Sequence, residues 1–207
     1  MVVSGILIRG FLATTLLWSF ETDTPGALPQ GWETRGNSPK PVYQVLVEDS
    51  GNRYLAAVSR SSDVQLGVQV KTSLNEAPIL EWRWRATVLP QGGDERNAKT
   101  LDSAASVYAV FGSALLPRIL KYVWSTRAPA GARFAHPNSG RMVIFVVNSG
   151  SGSVGQWQQV RRDLEADYRT AFGGPPPNLI AIGVKTDSDS TRTSAEADYD
   201  DFRLTRR

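Results

Sequence analysis

The sequence predicts an all-β fold, an antiparallel β-sandwich of jelly-roll type with one short helix late in the chain. Three observations predict it. Residues 80–88 alternate without a break: Leu80, Trp82, Trp84, Ala86 and Val88 share one strand face, and Glu81, Arg83, Arg85 and Thr87 share the other. Roughly ten segments that read as strands follow one another at close spacing, separated by Gly, Pro and Asn turns. Helical periodicity between strands, which a parallel α/β fold requires, is missing.

The elements follow in order. Pro25-Gly26 and Pro29-Gln30-Gly31 are turn signals. Residues 42–48 and 54–59 flank Gly51-Asn52 and read as a hairpin. Residues 64–71 alternate, with Val64, Leu66, Val68 and Val70 on one face. Pro78 opens the tryptophan strand, and 90–100 is a polar, Gly-containing loop. Residues 104–111, 118–125 and 141–148 read as strands, with a Pro/Gly/Asn loop at 128–140 and a Ser/Gly turn at 149–155. Residues 157–161 read as a further strand. Val160, Leu164, Tyr168 and Phe172 recur every four residues, the spacing of a short amphipathic helix stopped by Gly173-Gly174 and three prolines. Residues 179–185 and 198–204 read as the closing strands.

The chain has 207 residues, 41% of them hydrophobic and 21% charged, which fits one ordinary domain over 20–207. The net charge of +3 is mild and the arginines are scattered, so nucleic acid is not an expected partner. The absence of cysteine excludes disulfides, thiolate metal sites and a cysteine nucleophile. Residues 2–20 are largely apolar, broken by one charge, Arg9, and by Ser4, Gly5 and Gly10. Residues 1–19 read as an export signal with its h-region at 11–18, or as a buried first strand or helix; Arg9 splits the run too early for a membrane-spanning helix.

Several segments together resemble a known family. They are Leu28-Pro29-Gln30-Gly31-Trp32, Trp82-Arg83-Trp84, Asp102-Ser103-Ala104-Ala105-Ser106-Val107-Tyr108 and Lys121-Tyr122-Val123-Trp124. Asp167-Tyr168-Arg169 with Phe172-Gly173, Asp187-Ser188-Asp189-Ser190-Thr191, and Asp200-Asp201-Phe202-Arg203-Leu204 complete the set. Their order resembles the bacterial exported "domain of unknown function 3047" family, which implies a β-rich fold and an exported address but no established activity. The chain departs from that family at Ser103, where a second acid is usual, at Ser106, where Arg is usual, and at Ser190, where Asn is usual. The two ends, an opening Phe20-Glu21 with a later Pro29-Gln30-Gly31-Trp32 and the closing Asp-Asp strand, also resemble carbohydrate-binding jelly-roll modules.

Common catalytic signatures are absent: no Gly-x-Ser-x-Gly, no His-Glu-x-x-His, no Gly-Lys-Ser/Thr phosphate loop. No strand carries the paired carboxylates of a jelly-roll glycosidase. The lone His136, before Pro137, reads as an exposed loop histidine, and Glu81 as an ion partner of Arg83 or Arg85. Asp200 shares the parity of Phe202 and Leu204 and so points inward. A buried carboxylate needs a cation or several hydrogen bonds, and structural calcium would satisfy it, with Glu21 and nearby backbone carbonyls as co-ligands by likeness to the modules; the alternative is a rim residue capping a turn. The Asp187-x-Asp189 loop reads as a second calcium candidate or a solvated turn.

Sugar rings stack on exposed aromatic faces. Tyr122 and Trp124 share a strand face opposite Lys121 and Val123, and are either a stacking platform or core, while Trp82 and Trp84 read as core. The expectation is an exported, non-catalytic module that binds a glycan through Tyr122 and Trp124, with Asp102, Asp187 and Asp189 taking its hydroxyls. The alternatives are a polysaccharide hydrolase or a lyase drawing on Tyr122, Lys121, Asp102 and Arg118, or a structural envelope protein.

Overall fold

The computed structural model describes residues 16–38 and 42–207. Most of the apolar 1–19 segment therefore lies outside the described residues. Its last part forms a strand, β1 (Leu16–Trp18). After it come β2 (Glu33–Asn37), β3 (Tyr43–Val47), β4 (Arg53–Arg60), β5 (Asp63–Thr72) and β6 (Ile79–Val88). The second half supplies β7 (Ala105–Phe111), β8 (Arg118–Ser125), β9 (Arg133–His136), β10 (Ser139–Ser149) and β11 (Gln158–Asp163). The helix α1 (Leu164–Phe172), β12 (Leu179–Lys185) and β13 (Ser194–Thr205) complete the chain.

The strands form two sheets. One runs β11-β6-β13-β4-β3, with β1 paired to β13 beyond the end of β4; the other runs β2-β5-β12-β7-β8-β10-β9. This is the β-sandwich the sequence predicts, with one departure from antiparallel order. β10 pairs with β8 in parallel, which obliges the intervening chain to cross over the sheet. That crossover contains β9, a strand the sequence reading leaves as loop.

The core lies where the inner faces meet. β6 sends Leu80, Trp82, Trp84 and Ala86 inward, all fully buried, as its alternation requires. β8 sends Leu120, Tyr122 and Trp124 inward from the other sheet. The rings meet across the interior: Trp82 and Tyr122 have centroids 5.5 Å apart, Trp84 and Trp124 6.3 Å. Trp84 Nε1 donates to Asn148 Oδ1 at 2.9 Å, Trp124 Nε1 to the Gly150 carbonyl at 3.1 Å, and the Tyr122 hydroxyl to Asp167 Oδ2 at 2.8 Å. Trp84, Trp124 and Tyr122 thus bury their apolar bodies and satisfy their polar tips, whereas the buried Trp82 Nε1 has no hydrogen-bond partner among the described residues.

The helix begins at its N-cap Asp163, whose carboxylate accepts from the amides of Glu165 and Ala166, and ends at Gly173, which has a positive φ of 70°. Tyr168 and Phe172 stack at 5.0 Å, and Tyr168 also meets Phe111 at 5.1 Å. Val160 lies on β11 rather than on the helix, where it joins the core.

A second, small apolar cluster sits on the outer face of the seven-stranded sheet. Val123, Ala128, Ile144 and Val146 are buried there beneath Ala132 and Phe134 of the crossover. The crossover therefore roofs part of the sheet and stands as a wall beside the rest.

Candidate functional site

The uncovered part of that outer face is a polar pocket of about 510 Å³. Register builds it. Tyr108 on β7 faces Lys121 on β8 and Gly183 on β12, and Gly183 faces Gly67 on β5. One row across the sheet thus runs from two residues without side chains to a phenol and an ammonium. A Cβ added at Gly183 would stand 3.0 Å from Gln65 Nε2 and 3.2 Å from the Leu66 carbonyl, so glycine there makes room for the Gln65 side chain that lines the pocket. The next row holds Arg35, Gln65 and Lys185. His136, Asn138 and Met142 line the wall, and Asp63, Asp187, Asp189 and Ser190 complete the lining.

Two loops behind the pocket are locked together. Asp102 accepts from the amides of Ser190 at 3.2 Å and Thr191 at 2.7 Å, and from the Thr191 hydroxyl at 2.6 Å. Asp187 accepts from the Ser103 amide at 3.0 Å. Beneath them the fully buried Glu95 accepts from the hydroxyls of Ser103, at 2.8 Å, and Ser125. Burial raises the Glu95 carboxyl above its usual range, against the pull of those hydroxyls and of Lys121.

The pocket's charges divide into committed and uncommitted groups. Lys185 pairs with Asp63 and, at 2.9 Å, with Asp187. Burial would raise Asp187, but Lys121 and Lys185 outweigh it and hold the carboxyl below its usual range. Lys121 is only 2% exposed. Burial opposes its charge, yet Tyr108, Asp187 and Glu95 outweigh burial and raise it. His136 is lowered by burial and by the two lysines, which favours its neutral imidazole. Its Nδ1 accepts from the Asn138 amide at 3.2 Å, so Nε2 carries the proton.

The structure sorts the residues that sequence reading singled out. Asp187 and Asp189 line the pocket and Asp102 supports it from behind. Lys121 lines it, and His136, expected as an exposed loop residue, is half-buried in its wall. Tyr122 and Trp124 are not a stacking platform: both are fully buried between the sheets. Arg118 lies elsewhere, donating to the Tyr168 hydroxyl at 3.2 Å beside α1, so the four lyase residues do not converge. Asp63, Gln65, Lys185 and Arg35 were missed, because only strand register brings them to Asp187.

Asp200 is also corrected. Asp201 adopts a left-handed φ of 52° and the register with β6 shifts between Asp200 and Arg203. This bulge flips the parity, so Asp200 turns to the outer face with Asp198 while Phe202 and Leu204 remain in the core. The cation that its burial demands is the Arg83 guanidinium, with Asn52 Nδ2 donating at 3.1 Å. Glu21 accepts from the Arg53 amide at 3.3 Å. Glu81 pairs with Arg161 rather than with Arg83 or Arg85. The three acids whose ligand oxygens do approach one another, within 4.8 Å, are Asp63, Asp187 and Asp189, two of which hold Lys185.

On the outer face of the six-stranded sheet, Trp157 lies under the guanidinium groups of Arg83 at 4.9 Å and Arg85 at 4.6 Å. It meets Tyr54 edge-on at 5.9 Å and donates from Nε1 to Glu48. This ring's face is occupied by the protein's own arginines.

Fold and pocket define a two-sheet, jelly-roll-like β-sandwich with a polar pocket on one outer sheet face. The chain belongs to the family described as "Protein of unknown function (DUF3047)", whose model matches residues 30–203. No curated protein matches. Among solved structures, the chain is similar to the K2 cleaved adhesin domain of Lys-gingipain, at 13% identity and a TM-score of 0.51, over 93% of this chain and 100% of that one. It is also similar to the CBM22-2 xylan-binding domain of Paenibacillus barcinonensis Xyn10C, at 14% identity and a TM-score of 0.46, over 92% and 99% of the two chains. A third is the mannan-recognising module TmCBM27, at 16% identity and a TM-score of 0.42, over 94% and 99%. At these identities the likeness concerns the fold. Among the described residues no helix is long and apolar enough to cross a membrane.

Proposed function

We propose that the protein is a non-catalytic carbohydrate-binding module whose ligand occupies the pocket between Gln65, Tyr108, Lys121 and His136. The observation that carries this reading is a pocket on an outer sheet face lined by polar groups of both signs. A sugar ring presents hydroxyls that both donate and accept, and the pocket answers with a phenol, two ammonium groups, an imidazole, two amides and carboxylates. The acids favour binding over hydrolysis. Glycosidases need two carboxyl groups free to act as acid and base, whereas Asp63 and Asp187 are tied to Lys185. The apolar stretch around Arg9 supports an exported setting.

The test is affinity electrophoresis of the protein, and of Gln65→Ala and Asn138→Ala, through gels containing a panel of polysaccharides. Retardation by one glycan class, weakened in both variants with unchanged melting temperatures, is expected. Free migration in every gel, or equal retardation of all three proteins, refutes the reading.

A further inference from the structure

We propose that the sugar this pocket accepts is acidic, and that its anionic group is seated on the Lys121 ammonium. The inference rests on the carbohydrate reading and names the class of sugar. Lys121 is 98% buried in effect, with a relative exposure of 2%, and it lines the pocket. Among the described residues it makes no hydrogen bond and no ion pair; its closest partner is the Tyr108 ring, whose centroid lies 5.6 Å from Nζ. Asp187 and Glu95 support its charge at a distance without accepting its protons. A buried ammonium with its donors unspent is costly unless something completes it. Lys185 on the same face shows the contrast, since it spends its charge on Asp63 and Asp187.

The surrounding uncommitted groups are mostly donors. The Tyr108 hydroxyl, with the residue 6% exposed, has no hydrogen-bond partner among the described residues. His136 presents Nε2–H once Nδ1 is taken by Asn138. Arg35 adds an unpaired guanidinium among the described residues. Against these, the one lining acid not held by Lys185 is Asp189, which is exposed. A neutral sugar would leave the Lys121 protons without a charged acceptor, and a carboxylate or sulfate would fill that place.

The experiment is titration calorimetry with matched polymers. Galacturonan and alginate are each compared with their carboxyl-reduced forms, and a sulfated galactan with its desulfated form. The wild-type protein is expected to bind one acidic polymer about 10- to 100-fold more tightly than its neutral counterpart, the range of one hydrogen bond to a charged group. Whether carboxylate or sulfate is preferred identifies the anion. Lys121→Met should abolish the preference and Lys121→Arg should keep part of it. Equal wild-type affinity for acidic and neutral forms overturns the inference while leaving the carbohydrate reading intact, and so does a preference that survives in Lys121→Met. Binding to none of the polymers overturns the inference, while the carbohydrate reading stands or falls with the gel panel. The wild-type comparison decides the matter even if the Met variant fails to fold.

Discussion

Replacing Trp124 by alanine separates a core ring from a ligand platform. Trp124 is fully buried, packs on Trp84 at 6.3 Å and donates to the Gly150 carbonyl. Removing a buried Trp side chain costs about 3–5 kcal/mol in lost transfer energy and residual cavity. The Gly150 carbonyl loses its donor as well, but Gly150 is half-buried and water can replace much of that bond. For a chain of this size each kcal/mol lowers Tm by about 2–4 °C, so a fall of about 6–20 °C is expected. Trp124→Phe keeps most of the ring contact and should cost about 1–2 kcal/mol. Urea unfolding followed by far-ultraviolet circular dichroism measures both without depending on the fluorescence of the ring removed. A Trp124→Ala protein within about 1 kcal/mol of wild type but deficient in glycan binding would refute the reasoning and return the ring to the surface.

Arg83→Met leaves Asp200, 1% exposed, with Asn52 and its neighbouring amide as its remaining partners. The loss should be about 3 kcal/mol by urea unfolding, and adding Asp200→Asn should recover part of it. Glu95→Gln tests a pH effect. Because burial raises the Glu95 carboxyl in the folded state, its contribution is fully present below the ordinary glutamate pKa and is lost as pH rises through the raised value. The stability of Glu95→Gln relative to wild type should therefore increase from acid toward neutral pH, and a constant difference refutes the assignment. Lys185→Met leaves Asp63 and Asp187 without their shared ammonium and with Asp189 close beside them. Calcium should then raise Tm in this variant more than in wild type, and equal shifts would mean that Lys185 does not occupy the cation position.

What was legible in the sequence follows from where period-two alternation is honoured. β6 was readable because its charged face meets solvent and its apolar face meets the core. β8 was legible as a strand, but which of its faces is wet was not, because both are buried: Tyr122 and Trp124 lie under the other sheet, and Lys121 and Val123 lie under or beside the crossover. Polarity then stops reporting which side is wet. Asp200 was misplaced for a different reason, the bulge at Asp201. An Asp tolerates the left-handed region better than most residues, but nothing in Asp-Asp-Phe alone counts the extra residue. Asp187 and Asp189 stood out as a polar loop, whereas Lys185 sat at the end of an apolar strand and became part of the site only through its pairing with Gln65 and Ser106.

The position of β13 has a consequence for how the chain is made. It lies inside the six-stranded sheet, bonded to β6 on one edge and to β4 and β1 on the other. Every other strand of that sheet leaves the ribosome first. Until residues 194–205 emerge, β6 and β4 have no common partner, and the aromatic faces of the two sheets cannot be closed over one another. The six-stranded sheet therefore closes only after residues 194–205 have been made, so its assembly cannot run ahead of the synthesis of its own central strand.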